Sequence, residues 1–325
     1  MKRGLLLLLL FVPVLFADAA EIRAVWDHTG RGLYEGDWPK TMRVLKDAHV
    51  TDLFLNVGGV DFAHYASAFL PKSRVFKTRG DQLAACLRAA KGTGVRVHAW
   101  FICFNATRQN ETLLETFRKN GWRLNDAKGA LTTYLDPSNA GVRARVLSAV
   151  DELARTEADG VHLDFVRWGD AAVKPPDAAQ QVSSFVAEAR RRVKRPKKLT
   201  AAVYGKYPAC IASVGQDWPK WIDFDIVDFV VPMDYTASLP KFRELLASQM
   251  SPSTHAKRTV VGIGVTANES KLAPAEVAEQ IRLVRKAGFA GQALFDLDET
   301  LELQVLPVLR RGVWSHAASP HGEVK

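Results

Sequence analysis

The 325-residue chain has few cysteines and none of the glycine-rich motifs that bind nucleotides. Cys86, Cys103 and Cys210 are too few and too scattered for a disulfide framework or a cysteine-rich zinc site, so we expect buried free thiols. Neither G-x-G-x-x-G nor G-x-x-x-x-G-K follows a strand-like segment, which removes the main reason to predict a dinucleotide- or phosphate-binding sheet. No apolar run approaches the roughly 20 residues that a membrane-spanning helix requires.

The composition is that of a folded globular protein. Hydrophobic residues make up 47% of the chain and charged residues 24%, which excludes disordered, collagen-like and coiled-coil chains. The formal charge is +9, from 44 Lys and Arg against 35 Asp and Glu. This excess favours an acidic partner, such as the anionic polymers of a cell envelope, but identifies none.

The first 19 residues are typical of a secretory signal peptide. Two basic residues at positions 2 and 3 precede an apolar run over 5–16, and the triplet at 17–19 is Ala-Asp-Ala, a small-x-small cleavage pattern. The run has 12 residues, which is too short for a transmembrane anchor. We therefore expect a secreted or periplasmic protein with a folded domain at 20–315 and a loose polar tail at 316–325.

Short β-rich segments alternate eight times with helical segments. This alternation predicts an α/β fold, a single (β/α)8 TIM barrel, because strands four, six and seven are the nearly continuous apolar runs of parallel strands covered on both faces. Asp136 and Pro137 predict the start of one helix, as its N-cap and first residue. The predicted strands are 22–26, 53–57, 95–102, 160–166, 199–204, 226–233, 260–265 and 291–295.

Carboxylates and aromatic side chains recur at the carboxyl ends of these strands, where the active sites of such barrels lie. Alternate residues of a strand share a face, so His162 and Asp164 point one way and Leu163 points toward the helices. Asp164 is therefore expected in the mouth of the barrel. In the sixth strand the same alternation puts Tyr235 and Asp234 on opposite faces, unless that strand ends or bulges before these residues.

Aromatic platforms beside carboxylates suit the cleavage of glycosidic bonds, which uses a pair of carboxyl groups. Asp164 is predicted to be the central catalytic residue, as general acid or nucleophile. Strand seven supplies no carboxylate to pair with Asp164. The predicted catalytic partners of Asp164 are therefore Asp234, ranked first, and Asp296, with Asp27 as a further candidate. Asp296 could equally cap the last helix.

The other polar and aromatic groups at the strand ends are predicted to bind substrate. Arg167 is expected to orient Asp164 or to contact an acidic group of the ligand. His98 could equally be a core histidine. The predicted substrate-binding residues are Asp27, Asn56, His98, Trp100, His162, Arg167, Tyr204 and Tyr235.

Two other functions remain open, and no metal or cofactor is predicted. One is a polysaccharide-binding barrel without catalysis. The other is a metal-dependent hydrolase or deacetylase that uses His28, His98 or His162 together with carboxylates, although the chain has neither H-x-H on strand one nor H-E-x-x-H anywhere.

A run of seven basic residues with one valine and one proline at 190–198 resembles a nucleic-acid-binding patch. It ends a predicted helix and precedes strand five, so it belongs to the end of the barrel opposite the carboxylates. Cations are favoured at a helix C-terminus, and export argues against a nucleic-acid partner. Contact with an anionic envelope polymer is the expected use of this run.

An ordered set of motifs resembles the bacterial glycoside-hydrolase-like family 10 proteins over about residues 21–300. The longest match is Asp-Gly-Val-His-Leu-Asp-Phe-Val-Arg at 159–167, and shorter ones are Arg-Ala-Val-Trp at 23–26 and Val-His-Ala-Trp-Phe at 97–101. The resemblance implies a TIM-barrel glycosidase of the bacterial envelope. Its expected substrate is the denuded glycan strand of peptidoglycan or another polysaccharide.

Overall fold

A computed structural model of the protein describes residues 20–106, 110–170, 172–250 and 255–316. The predicted signal peptide lies outside these residues, as does all but the first residue of the predicted tail. Within the described ranges, no helix combines the length and the apolar character needed to cross a bilayer.

Eight parallel strands of the described chain close into a barrel, which confirms the predicted TIM-barrel fold. Strands that follow one another in the chain pair with each other, and the first strand also pairs with the last, so that Trp26 lies beside both Phe54 and Phe295. The strands are β1 (Ile22–Asp27), β2 (Asp52–Gly59), β3 (Arg96–Ile102), β4 (Gly160–Asp164), β5 (Lys198–Tyr204), β6 (Phe229–Met233), β7 (Val260–Gly264) and β8 (Gly291–Phe295).

Helices in the connections between strands cover the outside of the barrel. Three short strands of the described chain lie outside the barrel. Phe62–Ala63 pairs with the end of β2, and Arg123–Asn125 and Leu131–Leu135 form a hairpin. The helices are α1 (Trp38–Asp47), α2 (Arg74–Arg79), α3 (Gln82–Ala90), α4 (Glu111–Lys119), α5 (Ala140–Ala154), α6 (Ala178–Arg192), α7 (Ala209–Val214), α8 (Trp218–Asp223), α9 (Leu239–Gln249), α10 (Pro274–Lys286) and α11 (Leu306–Arg311), with a 3-10 turn at Ala256–Arg258 and a π-helical turn at Leu301–Val305.

The helix predicted to begin at Pro137 begins three residues later, so that prediction was wrong. Asp136 does not cap it; its side chain accepts hydrogen bonds from the backbone and hydroxyl of Ser138 and closes a separate turn. Asn139 caps α5 instead, by accepting from the amides of Gly141 and Val142. Short polar side chains often favour such local turns over a helix start.

Two apolar layers hold the barrel. The outer layer lies between the strands and the helices and contains Leu163, which is fully buried there. The inner layer fills the barrel and contains Trp26, Phe54 and Trp100. Because His162 stacks on Phe54 inside the barrel while Leu163 packs outside it, the predicted alternation along β4 is confirmed.

All three cysteines are buried free thiols, as the sequence predicted. Burial raises the pKa of each thiol, to about 11 for Cys210 and well above the ordinary value for Cys86 and Cys103. None is therefore activated as a nucleophile at neutral pH.

The basic run at 190–198 lies at the base of the barrel, the end at which the strands begin. Arg190 and Lys198 lie 2.7 and 3.4 Å from carboxylate oxygens of Asp228, and Arg195 lies 2.7 Å from Asp225. Carboxylates thus neutralise much of this run, and its use in binding an envelope polymer stays a prediction.

Candidate active site

A cavity of about 700 Å³ opens at the carboxyl ends of the strands, and we call it the mouth cavity. The ends of β1, β3, β4, β5, β6 and β8 form its floor and walls, together with the loop after β7. The predicted site residues that line it are Trp100, Asp164, Arg167, Tyr204, Tyr235 and Asp296.

Asp164 is the last residue of β4 and is 5% exposed at the floor of the mouth cavity. Its Oδ1 accepts a hydrogen bond from the Phe165 amide at 2.6 Å, and its Oδ2 accepts one from the Trp100 indole at 3.2 Å. Burial raises the pKa of Asp164, whereas Arg167 and these two donors oppose the rise. The carboxylate is therefore held at a fixed angle by groups that favour its ionised form.

Phe165 turns the chain out of the barrel immediately after this carboxylate. Its φ of 49° lies in the left-handed region, which costs a non-glycine residue roughly 1–2 kcal/mol. The turn places its ring 4.0 Å from the Arg167 guanidinium carbon, with the Tyr204 ring 4.8 Å away. Both rings therefore help to hold the guanidinium beside the floor of the cavity.

Arg167 is a buried cation with donors to spare. Its Nη1 lies 3.6 Å from Oδ1 of Asp164, an ion pair that is too long for a hydrogen bond. Its Nε and Nη1 have no hydrogen-bond partner among the described residues, although the side chain is only 5% exposed. Both predicted roles, orienting Asp164 and contacting an acidic group of a ligand, fit this geometry.

Asp296 lies just beyond β8, on another wall of the mouth cavity. Its Oδ1 accepts a hydrogen bond from the Thr266 hydroxyl at 2.7 Å. Burial raises the pKa of Asp296, and the Thr266 hydroxyl opposes the rise.

Glu269, on the loop after β7, lines the same cavity. Burial and nearby carboxylates, including those of Asp164 and Asp296, raise the pKa of Tyr235 well above its usual range.

The structure does not bring Asp234 to the mouth cavity. Its side chain is fully buried and accepts hydrogen bonds from Nε2 of Gln249 at 2.8 and 2.9 Å. Gly205 packs so closely that a Cβ there would lie 1.7 Å from Oδ1 of Asp234. Burial raises the pKa of Asp234 to about 8 despite the Gln249 hydrogen bonds. The alternation along β6, which puts Tyr235 in the cavity, is the physical reason.

Asp27 organises a loop and does not line the mouth cavity. It is fully buried, and its carboxylate accepts hydrogen bonds from the amides of Thr29, Gly30 and Gly32 at 2.7–3.0 Å. Gly30 has a φ of 67°, and a Cβ there would lie 2.4 Å from the carbonyl oxygen of Asn56. These contacts fix the path of the loop between β1 and α1.

His98 and His162 lie inside the barrel, below the mouth cavity. His162 accepts a hydrogen bond from the Trp26 indole at 3.1 Å, and its Nδ1 lies 2.8 Å from the Thr200 hydroxyl. Burial lowers the pKa of His162 well below its ordinary value, so the ring is neutral. Nε2 of His98 lies 2.9 Å from Asp52, a residue at the base of the barrel. Both positions are those of core residues.

A second cavity of about 370 Å³ adjoins the first, and we call it the side cavity. His28 and Ile102 line both, so the two cavities are direct neighbours. Asn56 lines the side cavity, where its Nδ2 donates to the carbonyl oxygen of His28 at 3.0 Å and its Oδ1 accepts from the Gly58 amide at 3.1 Å.

Two titratable residues of the mouth cavity, His28 and Glu269, were not among the predicted catalytic and substrate-binding residues, and His28 was considered only as a metal ligand. His28 follows Asp27 and shares a face with Trp26, so the alternation along β1 was the signal that could have found it. Glu269 lies on a loop without periodicity, and nothing in the sequence separates it from any other exposed glutamate.

The residues considered for a metal site do not converge. His28 lies at the mouth, His162 contacts Trp26 and Thr200, and His98 contacts Asp52. In the part of the chain that the structure describes, no group of three or more His, Cys, Asp or Glu side chains is arranged to hold a metal ion.

Comparisons with known proteins show the fold. No protein-family model and no curated protein matches the chain. The glycoside hydrolase domain of PgaB (BpsB) from Bordetella bronchiseptica superposes with a TM-score of 0.69 at 16% identity, over 92% of this chain and 99% of that one. The spore cortex-lytic enzyme SleL from Bacillus cereus gives 0.59 at 11%, over 94% and 76%. A class V chitinase from Pseudomonas fluorescens Pf-5 gives 0.58 at 12%, over 90% and 100%.

These structural neighbours share a TIM barrel of the kind that glycoside hydrolases use. The fold implied by the family resemblance is therefore confirmed. Membership of the glycoside-hydrolase-like family 10 stays a prediction, since no family model matches.

Proposed function

We propose that this chain is an exported glycoside hydrolase that cleaves a polysaccharide by carboxylate catalysis. The observation that carries the proposal is one cavity at the carboxyl ends of the strands that is lined by Asp164, Glu269 and Asp296 and by the aromatic faces of Trp100 and Tyr235. Paired carboxyl groups perform glycoside hydrolysis, and aromatic faces pack against the apolar faces of sugars. The predicted signal peptide is the basis for export.

Within this proposal Asp164 is the anionic group, acting as nucleophile or base. Both of its oxygens accept hydrogen bonds from N–H donors, and a cation lies beside it. Burial raises the pKa of both carboxyl groups, and Asp296 is the proton donor because it has no ion pair among the described residues and its Oδ2 accepts no hydrogen bond from them. Asp234 has no catalytic part, since it does not line the cavity.

Glycan strands of peptidoglycan freed of their peptides are the first substrate to test, as the family resemblance implies. The named activities of the neighbours, which include a spore cortex-lytic enzyme and a chitinase, support a glycan substrate. Their low sequence identity leaves the choice of sugar to experiment.

The test is hydrolysis of denuded glycan strands and of chitin oligosaccharides, followed by mass spectrometry of the products. We expect Asp164→Asn and Asp296→Asn each to lower kcat/KM by about a hundredfold or more. Asp234→Asn is the matched control and is expected to keep activity near the wild-type value. Equal activity in Asp164→Asn and wild type would disprove the mechanism.

A second candidate function is polysaccharide binding without catalysis. The specific observation in its favour is that Asp164 is only 5% exposed and paired with Arg167, an arrangement that also suits a structural carboxylate. This function predicts retention of glycans by wild-type protein without any product, and unchanged retention by Asp296→Asn.

A further inference from the structure

The side cavity differs in charge from the mouth cavity beside it. Asp164, Glu269 and Asp296 line the mouth cavity together with the cations Arg167, Lys206 and Lys241, whereas no Asp or Glu of the described chain lines the side cavity. Two arginines, Arg31 and Arg74, line the side cavity. The mouth cavity therefore has charged groups of both signs, whereas the charged groups of the neighbouring side cavity are basic.

Arg74 supplies the less compensated of the two charges. Its side chain is exposed and makes no ion pair with the described residues, whereas Arg31 lies 3.0 Å from Glu35. A guanidinium free of protein partners can bind an incoming carboxylate with two parallel hydrogen bonds.

His64 adds a neutral donor to the side cavity. The Ser73 hydroxyl oxygen accepts from the Phe76 amide at 3.0 Å and lies 2.6 Å from Nδ1 of His64. When the Ser73 hydroxyl donates its proton to Nδ1, the imidazole's own N–H is on the other ring nitrogen, Nε2. Burial and the charge of Arg31 lower the pKa of His64 to about 4, so the ring is neutral near pH 7. Ser73 also precedes Arg74 and fixes the backbone from which that side chain extends.

We propose that the side cavity is a subsite for a sugar unit that bears a carboxylate, with Arg74 as its main cation and Arg31 and His64 as further donors. This inference rests on the proposed function, because it assumes that a glycan occupies the mouth cavity next to it. At about 370 Å³, the side cavity falls within the roughly 300–1,000 Å³ of small-molecule sites. Because no carboxylate of the described chain lines the side cavity, an acidic substituent meets only basic and neutral groups there.

The experiment is calorimetric titration of the full chain carrying Asp164→Asn, which prevents turnover. The probes are hexasaccharides of hyaluronan, of polygalacturonate and of denuded peptidoglycan glycan, each beside the same oligosaccharide with its carboxylates reduced to alcohols. We expect at least one acidic probe to bind about fivefold or more tightly than its reduced form. The preference is expected to shrink as NaCl is raised.

Arg74→Ala is the decisive variant. It is expected to bring the acidic and reduced forms to within about twofold of each other, while the affinity for the reduced form stays unchanged. Arg43→Ala removes the same charge from an exposed site on α1 outside both cavities and is expected to change neither affinity. Arg74→Lys is expected to keep part of the preference, and circular dichroism verifies that each variant folds.

Several outcomes overturn the inference: no acidic probe binds more tightly than its reduced form, Arg74→Ala keeps the preference, or Arg74→Ala weakens both forms alike. Hydrolysis assays separate this failure from failure of the proposed function. Cleavage that depends on Asp164 but not on Arg74 leaves the hydrolase and removes the subsite. Binding that depends on Arg74 without any cleavage leaves the subsite and removes the hydrolase.

Discussion

The base and the mouth of the barrel hold their charged groups in opposite ways. At the base, Asp52 is 1% exposed and accepts hydrogen bonds from Nε and Nη2 of Arg96 at 2.8 and 2.6 Å, with His98 at 2.9 Å. Burial alone would raise the pKa of Asp52, but these partners hold it well below its usual range. At the mouth, two buried nitrogen atoms of Arg167 have no hydrogen-bond partner among the described residues, and one described side chain, that of Thr266, hydrogen-bonds to Asp296.

This contrast separates the groups that stabilise the barrel from the groups that are available for binding and catalysis. Groups whose partners are all supplied by the protein stabilise the fold but have nothing left for a ligand. Groups with free donors or acceptors are less stabilised and can bind or react. Each of the predictions below compares a substitution at one end with a substitution elsewhere.

The largest effect on stability is expected from Asp52→Ala. It removes the two hydrogen bonds from Arg96 and the contact with the buried His98 ring, which together are expected to cost about 3–5 kcal/mol. Asp296→Ala at the mouth removes one side-chain hydrogen bond and is expected to cost about 1 kcal/mol. Urea unfolding of both variants measures the difference. Equal losses at the two ends would contradict the comparison.

A smaller, pH-dependent effect on stability is expected at Asp234, which is fully buried and does not line the mouth cavity. Its folded-state pKa of about 8 exceeds the ordinary 3.8, so folding favours the protonated form. This contribution to stability is full below about pH 4 and is lost as the pH rises toward 8. Asp234→Asn cannot titrate, so its stability relative to wild type should rise by about 3–4 kcal/mol between about pH 5 and about pH 8.

Unfolding at the two pH values measures this change, with Asp164→Asn as a second carboxylate variant for comparison. A stability difference between Asp234→Asn and wild type that is the same at both pH values would mean that Asp234 is not held protonated by its burial.

Local patterns in the sequence predicted the fold because strand and helix signals are local. The apolar runs marked all eight strands, and the alternation along β4 predicted that Asp164 faces the mouth. The alternation along β6 put Tyr235 and Asp234 on opposite faces, yet Asp234 was still ranked first as catalytic partner. The helix start at Asp136 failed because a turn made by the same side chain competes with the cap.

The height of a side chain along the barrel axis could not be predicted, because it depends on register between strands. His98 lies opposite Gly160, the first residue of β4, whereas Ile102 lies opposite Asp164, the last. The sequence placed His98 on the correct face but not at the base, where it meets Asp52. Glu269 was beyond prediction for a different reason, since loop geometry decides whether its side chain reaches the cavity.

The smallest effect is expected from an exposed ion pair at the base. Arg195 is 50% exposed and lies 2.7 Å from Asp225, so Arg195→Ala should cost only about 0.2–1 kcal/mol in the free energy of unfolding. High salt should abolish that loss, because exposed charges are screened. Lys206→Ala at the mouth removes an exposed cation that has no ion pair among the described residues, so it should cost nothing measurable at any salt concentration. A loss of stability in Arg195→Ala that persists at high salt would show that this exposed pair is shielded from solvent as the Asp52 pair is. The contrast between base and mouth would then include exposed residues as well as buried ones.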